Sequence, residues 1–220
     1  MLTAPHSILI DAPAGKLEVD ALWHADQPQG TAARVALLCH PNPVEQGTMM
    51  NKVVTTMYRF ARDAGMHVVR FNFRGVGRST GSYGHMTGEI DDALAVLRWI
   101  GQQTDARQLW LGGFSFGGYV AMRTAEQVAQ DSAFADFRLT DLALIAPSIE
   151  KHPIDAVRLP ADKTFLIYGE NDELVAPDAL AAFGERFGIR ARVFADTGHF
   201  FHGKLGELKT TLEELSSING

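Results

Sequence analysis

Leu109-Trp110-Leu111-Gly112-Gly113-Phe114-Ser115-Phe116-Gly117-Gly118-Tyr119-Val120-Ala121-Met122 decides the fold. A short apolar run, read as a buried strand, passes through Gly113-Phe114-Ser115-Phe116-Gly117 into a helix-like segment. A serine on a sharp turn between strand and helix has its hydroxyl lifted clear of the sheet, and glycines two residues either side remove side chains that would clash. Ser115 is therefore a candidate nucleophile. With 21 Gly and eight Ser in 220 residues, the pattern arises by chance roughly 0.07 times in such a chain. Its weight rests on placement and on partners elsewhere.

Outward from this stretch, apolar runs and helical patterns alternate. Two alternating segments, Ser7 to Asp11 and Leu17 to Trp23, flank the turn residues Ala12-Pro13-Ala14-Gly15 and read as an antiparallel hairpin. After a loop over Gln27 to Thr31 come a strand at Val35 to Cys39, a helix over about 51–64, a strand at His67 to Phe73 and a helix over about 88–102. Thr87 is the candidate cap of that helix, with Glu89, Asp91 and Asp92 near the positive end of its dipole. Beyond Ser115 a helix spans 117–129, followed by strands at Leu142 to Ile145 and Phe165 to Tyr168, a helix over 177–187, a strand at Arg192 to Phe194 and a terminal helix over about 203–215. Repeated βα units bury their strands on both faces, so the expectation is α/β: a mostly parallel, doubly wound sheet of about eight strands, in one domain spanning residues 1–220. Ligands in such sheets bind beyond the carboxyl ends of the strands, which directs the search to the loops after Cys39, Phe73, Gly113, Ala146, Gly169 and Asp196.

Composition removes several alternatives. Nothing approaches 18 consecutive apolar residues, so no membrane span is expected, and a net charge of -6 offers no basic stripe for nucleic acid. Met1 to His6 lacks a basic region followed by an apolar core, so no secretory signal is read and a cytoplasmic location is expected. Cys39 is the single cysteine. It follows a strand-like run and reads as a small buried hydrophobe rather than a nucleophile. Arg74-Gly75-Val76-Gly77 lacks the third glycine and the helix start of a dinucleotide loop and reads as a tight turn. His6, His24, His67, His85 and His152 show no metal-ligand spacing and read as surface or structural groups. No metal and no organic cofactor is called for.

An unactivated serine hydroxyl is a poor nucleophile at neutral pH and needs a base within hydrogen-bond reach and an acid that orients the base. Two strand-exit loops supply these residue types: Gly169-Glu170-Asn171-Asp172-Glu173-Leu174-Val175 and Ala195-Asp196-Thr197-Gly198-His199, with His202 just beyond.

Taken with Leu38-Cys39-His40-Pro41-Asn42-Pro43, Arg74-Gly75-Val76-Gly77-Arg78-Ser79, Gly169-Glu170-Asn171-Asp172 and Gly198-His199-Phe200-Phe201, the chain resembles an α/β-hydrolase-fold serine hydrolase over nearly its full length. It is most similar to a small, lidless bacterial branch with an early His-Pro loop and an Arg-Gly-x-Gly-x-Ser segment. The resemblance implies hydrolysis of an ester or related acyl bond through an acyl-enzyme intermediate. It assigns the acid to Asp172 within Gly-x-x-Asp-x-apolar-Val, and the base to His199, directly after a glycine, in preference to His202. Glu170 and Glu173 are left as a solvated loop edge, and Asp196 as a turn-former. The oxyanion donors it implies are the N–H of Phe116 and one from the loop after Cys39. There Pro41 and Pro43 have no N–H, leaving Asn42, with Val44 as the alternative. Arg74 is expected to anchor neighbouring loops.

Only Pro147 to Lys163 separates two successive strands where larger relatives carry a lid, and Ile149 to Pro153 can make one helical turn at most. An open, shallow site is expected, bordered by Phe114, Phe116, Phe200, Phe201 and Met49, with Met49, Phe200 and Phe201 as substrate contacts and small or short-chain esters as substrates. The same machinery would serve a thioesterase or a small-peptide hydrolase, since leaving-group preference is set by pocket shape. The reading from another class is a catalytically silent binding protein on this scaffold. The number of subunits is not fixed by these residues.

Overall fold

The computed structural model describes residues 6–26, 30–152, 154 and 157–217. Its first two strands, β1 (His6–Ala12) and β2 (Gly15–Leu22), form the expected antiparallel hairpin, paired from Ala12 with Gly15 to His6 with Ala21. The loop expected over Gln27 to Thr31 lies largely outside the described residues. Then follow β3 (Arg34–Cys39), α1 (Lys52–Asp63), β4 (His67–Phe71), α2 (Thr87–Gln103), β5 (Gln108–Phe114), α3 (Phe116–Gln130), β6 (Arg138–Ile145), β7 (Thr164–Gly169), α4 (Pro177–Phe187), β8 (Arg190–Phe194) and α5 (Leu205–Leu215).

One eight-stranded sheet runs in the order β1-β2-β4-β3-β5-β6-β7-β8, antiparallel at β1-β2-β4 and parallel from β4 onward. After β4 the chain crosses back over β3 to lay down β5, so the order reverses between β3 and β5. The crevice beyond their carboxyl ends is the place where such sheets hold ligands. Every residue of β4 and β7 is buried, as is all of β3 after Arg34, which is why these strands read as continuous apolar runs rather than alternating ones. β8 differs: Arg190 to Val193 are exposed and only Phe194 is buried, as suits an edge strand whose charges discourage further pairing. α1 packs with α5 and α2 with α3, and α4 covers β7 and β8. Between β6 and β7, the described residues of 146–163 contain no inserted lid, and the described part of the segment expected to form a helical turn shows a turn at Glu150 and Lys151, Pro153 lying outside the described residues. No helix among the described residues is long and apolar enough to cross a membrane.

The expected cap of α2 is corrected. Met86, not Thr87, occupies the cap position at φ 75°, and its side chain makes no capping bond. Instead the fully buried Glu89 carboxylate reaches back to accept the N–H groups of Gly84 and Met86 at 2.8 Å each. Glutamate in the first turn thus satisfies the N–H of the cap residue and one in the loop before it, the reaching-back half of a capping box. Asp92, on the next turn, is also fully buried and holds Arg74 through both carboxylate oxygens, fixing the turn after β4.

That turn has a second tether. Glu18 on β2 accepts Arg78 Nε and Ser7 Oγ through one oxygen, and Arg78 N and Asn72 Nδ2 through the other, at 2.8–3.0 Å. Burial alone would raise this carboxyl, but the hydrogen bonds from Arg78, Asn72 and Ser7 overcome it and hold the group at about 2. A group depressed from an unfolded value of about 4.3 contributes stability above that value and loses it as pH falls towards the folded one. The stability advantage of wild type over Glu18→Gln is therefore expected to be full at pH 7 and to shrink steadily between about pH 5 and pH 2. Urea midpoints measured across that range check it. A difference that stays constant with pH overturns the assignment.

Candidate active site

Ser115 sits between β5 and α3 at φ 55°, ψ -120°, a conformation that costs a non-glycine residue of order 1–3 kcal/mol. Its surroundings impose it. The Ser115 N–H donates to Ile145 O at 2.9 Å, while its carbonyl accepts Gly118 N at 2.9 Å and Ser148 N at 3.0 Å. The flanking glycines allow close approach. A Cβ on Gly113 would run into the Gly117 carbonyl, and one on Gly117 into the carbonyls of Cys39 and His40. Helix α3 is thereby seated on the exit of β3, and Ser115 faces the crevice between β3 and β5.

His199 leaves the loop after β8, and Asp172 the loop after β7. Both are buried, and His199 Nδ1 lies 2.8 Å from Asp172 Oδ2. The other oxygen, Oδ1, accepts the N–H groups of Leu174 and Val175 at 2.9 Å each. Burial pushes the Asp172 carboxyl up, but the hydrogen bonds from His199, Val175 and Leu174 prevail and hold it below the usual carboxylate range. An ionised carboxylate only accepts, so Nδ1 carries the imidazole proton and Nε2 is left with its lone pair. The ring lies 4.9 Å from that of Phe114 and 5.2 Å from the edge-on ring of Phe200, which keep water from the pair. His202 is exposed, and its ring approaches Phe200 at 5.9 Å. The hydrogen bond to Asp172 belongs to His199.

Ser115 and His199 line one cavity of about 330 Å³, together with Asn42 and Phe116. Phe116 is the first residue of α3, where a backbone N–H has no partner within the helix. The Val44 N–H is committed to Asn42 Oδ1 at 3.0 Å, whereas no hydrogen bond among the described residues uses the Asn42 N–H. His40 holds this loop from beneath. Fully buried, it has Nδ1 2.7 Å from Pro41 O and accepts the Phe73 N–H on Nε2 at 3.0 Å. Burial lowers its pKa to about 3 against the opposing bond to Pro41, so the ring is a neutral strut between the exits of β3 and β4.

Two expected substrate contacts are corrected. Met49 is 5% exposed and Phe201 fully buried, and neither borders the cavity, whereas Phe200, 39% exposed, does. Phe114 is likewise fully buried, its ring against His199. Residues not foreseen as cavity wall take their place: Tyr83, Ser148, Lys151, His152, Leu174 and Val175. His152 in particular is half-buried against the Tyr119 ring at 4.8 Å, and burial lowers its pKa. Glu173 and Glu170 are exposed, as expected of a solvated loop edge, but both also bind backbone of the neighbouring loop. Their carboxylates accept the N–H groups of His199 at 3.0 Å and Asp196 at 3.2 Å. Acidic side chains beside the loop could have signalled this, but nothing in their spacing names the amides they reach.

A family model described as the alpha/beta hydrolase fold matches residues 47–147. The chain is 38% identical to a lidless α/β serine hydrolase from Xanthomonas campestris, over 96% of this chain and 93% of that one, with a TM-score of 0.83. It is 31% identical to an alpha-beta serine hydrolase homologue from Coxiella burnetii, over 97% and 99% of the two chains, with a TM-score of 0.74. An uncharacterised protein of Rickettsia prowazekii is 30% identical over 94% of this chain and 87% of its own length.

Proposed function

The chain belongs to the α/β-hydrolase fold family, and from that premise we propose that it is a serine hydrolase cleaving small or short-chain carboxylic esters, with Ser115 as nucleophile, His199 as base and Asp172 as orienting acid. The observation that carries this reading is the buried 2.8 Å bond between His199 Nδ1 and Asp172 Oδ2 at the edge of the cavity that Ser115 faces. It directs the Nε2 lone pair outward. In the reaction, Nε2 takes the proton from Ser115 Oγ as the oxygen attacks the ester carbonyl. The carbonyl oxygen gains negative charge and is met by the N–H groups of Phe116 and Asn42. Collapse expels the alcohol, which leaves with the proton from His199. Water, deprotonated by the same nitrogen, then cleaves the acyl-enzyme and restores Ser115.

Cavity volume supports the short-chain preference, since about 330 Å³ lies at the low end of small-molecule sites. Thioesters and small amides engage the same groups, and a silent binding protein would keep the walls without the turnover. We take residues 1–220 as one domain. The lone cysteine, Cys39, whose thiol pKa is raised by burial, fits a reducing compartment, and we place the protein in the cytoplasm.

Incubation with a fluorophosphonate tests the assignment. Folded wild type is expected to be labelled covalently and Ser115→Ala not, and the acetate and butyrate nitrophenyl esters are expected to exceed the palmitate ester in kcat/KM by more than about tenfold. Absence of labelling on folded wild type favours the silent protein. A palmitate rate above that of butyrate sinks the short-chain preference.

A further inference from the structure

We propose that Glu173, seconded by Glu170, is a positioning residue that holds the base loop in register, an inference that rests on the reading of His199 as the base. Besides the bond between His199 Nδ1 and Asp172 Oδ2, four hydrogen bonds interlock the exits of β7 and β8. Two are between backbones, Glu170 N to Phe194 O and Asn171 N to Thr197 O, both 2.9 Å. The other two are made by carboxylates: Glu170 Oε2 accepts Asp196 N at 3.2 Å, and Glu173 Oε2 accepts His199 N at 3.0 Å.

Consecutive residues therefore grip His199 at two points. Asp172 takes the ring at Nδ1 and Glu173 takes the backbone at N. A histidine side chain has only two torsions between those atoms, so fixing both ends fixes where Nε2 points. The loop needs this restraint, because Asp196 at φ 49° and Phe201 at φ 54° are non-glycine residues in the left-handed region on either side of the histidine. Gly198 shows how closely the carboxylate is accommodated: a Cβ there would lie 2.7 Å from Glu173 Oε2. Glu173 is an exposed residue, so its contribution to overall stability is small, while its contribution to the aim of Nε2 is not. Water can replace the lost acceptor after truncation. It cannot replace a covalent tether to the residue next to Asp172.

Glu173→Ala, Glu173→Gln and Glu170→Ala, assayed beside Ser115→Ala on a short-chain nitrophenyl ester, separate this role from a purely structural one. Glu173→Ala is expected to lower kcat about tenfold, because a small misplacement of a catalytic group costs rate rather than affinity. Its KM should stay within about twofold and its thermal midpoint close to wild type. Glu173→Gln, which keeps an acceptor oxygen at the same reach, should restore kcat to within about threefold. Glu170→Ala should show a smaller loss of the same kind. Amide exchange at His199 should quicken in Glu173→Ala and return towards wild type in Glu173→Gln, a measurement that needs no turnover. A wild-type kcat in Glu173→Ala, an equal loss in the glutamine variant, or a rise in KM at constant kcat overturns the proposal. Undiminished turnover in Ser115→Ala instead overturns the catalytic reading beneath it, whatever the Glu173 variants do.

Discussion

Ser115→Ala is expected to lower turnover of short-chain esters by up to about 10⁶-fold, or roughly 8 kcal/mol of transition-state stabilisation, while the protein remains folded. The effect is that large because in the proposed triad nucleophile, base and acid act as one unit: without the hydroxyl there is nothing for Nε2 to deprotonate, and the acyl-enzyme route closes. What remains is the background provided by the oxyanion donors and binding alone. His199→Ala should be as damaging, since it removes the only imidazole hydrogen-bonded to Asp172 among the described residues. His202→Ala should leave kcat/KM within about twofold, because an exposed ring 5.9 Å from Phe200 touches no reacting group. Single-turnover rates on one ester, with circular dichroism to verify folding, check all three. Collapse in His202→Ala with survival of His199→Ala reverses the choice of base.

Legibility in the sequence divides along a physical line. Strand runs such as Val35–Cys39 and Phe165–Tyr168 are buried on both faces, so their apolar character and their order survive in the sequence almost unaltered. The turn at Ser115 was legible for a related reason: backbone atoms of Cys39, His40 and Gly117 come so close that only glycine fits at 113 and 117. Strand-end position narrows the acid to Glu170, Asp172 or Glu173 and the base to His199 or His202, and the choice of Asp172 and His199 within those sets comes from the resemblance. What was not legible depends on the direction of side chains in irregular loops, where neither the two-residue nor the 3.6-residue period applies. Met49 and Phe201 turn inward, Tyr83 and Val175 turn to the cavity, and no pattern in the chain distinguishes them. The α2 cap failed similarly: Met86 takes the cap position, and Glu89 reaches back to two amides of the preceding loop that a capping Thr87 would not accept. His40 illustrates a third case. Its residue type is that of a base, but burial between Pro41 O and Phe73 N makes it a neutral strut, a fact set by residues 33 positions apart.

Asp172→Asn is expected to cost about 10⁴-fold in kcat with the fold intact, and the hydrogen bonds around the carboxylate dictate why. Oδ1 accepts from two backbone donors, Leu174 N and Val175 N. An asparagine must present its carbonyl oxygen to them, because its amide nitrogen facing two N–H groups would leave three buried donors in opposition. The –NH₂ group is thereby turned towards His199 Nδ1, which can then only accept. The imidazole proton moves to Nε2, the nitrogen that must receive the proton of Ser115, and the base is held in the wrong tautomer. An isosteric change of one atom thus removes general-base catalysis without opening a cavity, so thermal stability should fall far less than activity. Fluorophosphonate labelling should slow in parallel with ester turnover, since both demand the same ionisation of the Ser115 hydroxyl. An Asp172→Asn protein that retains more than about a tenth of wild-type kcat would show that the carboxylate's charge and its two-sided hydrogen bonding do not set the tautomer.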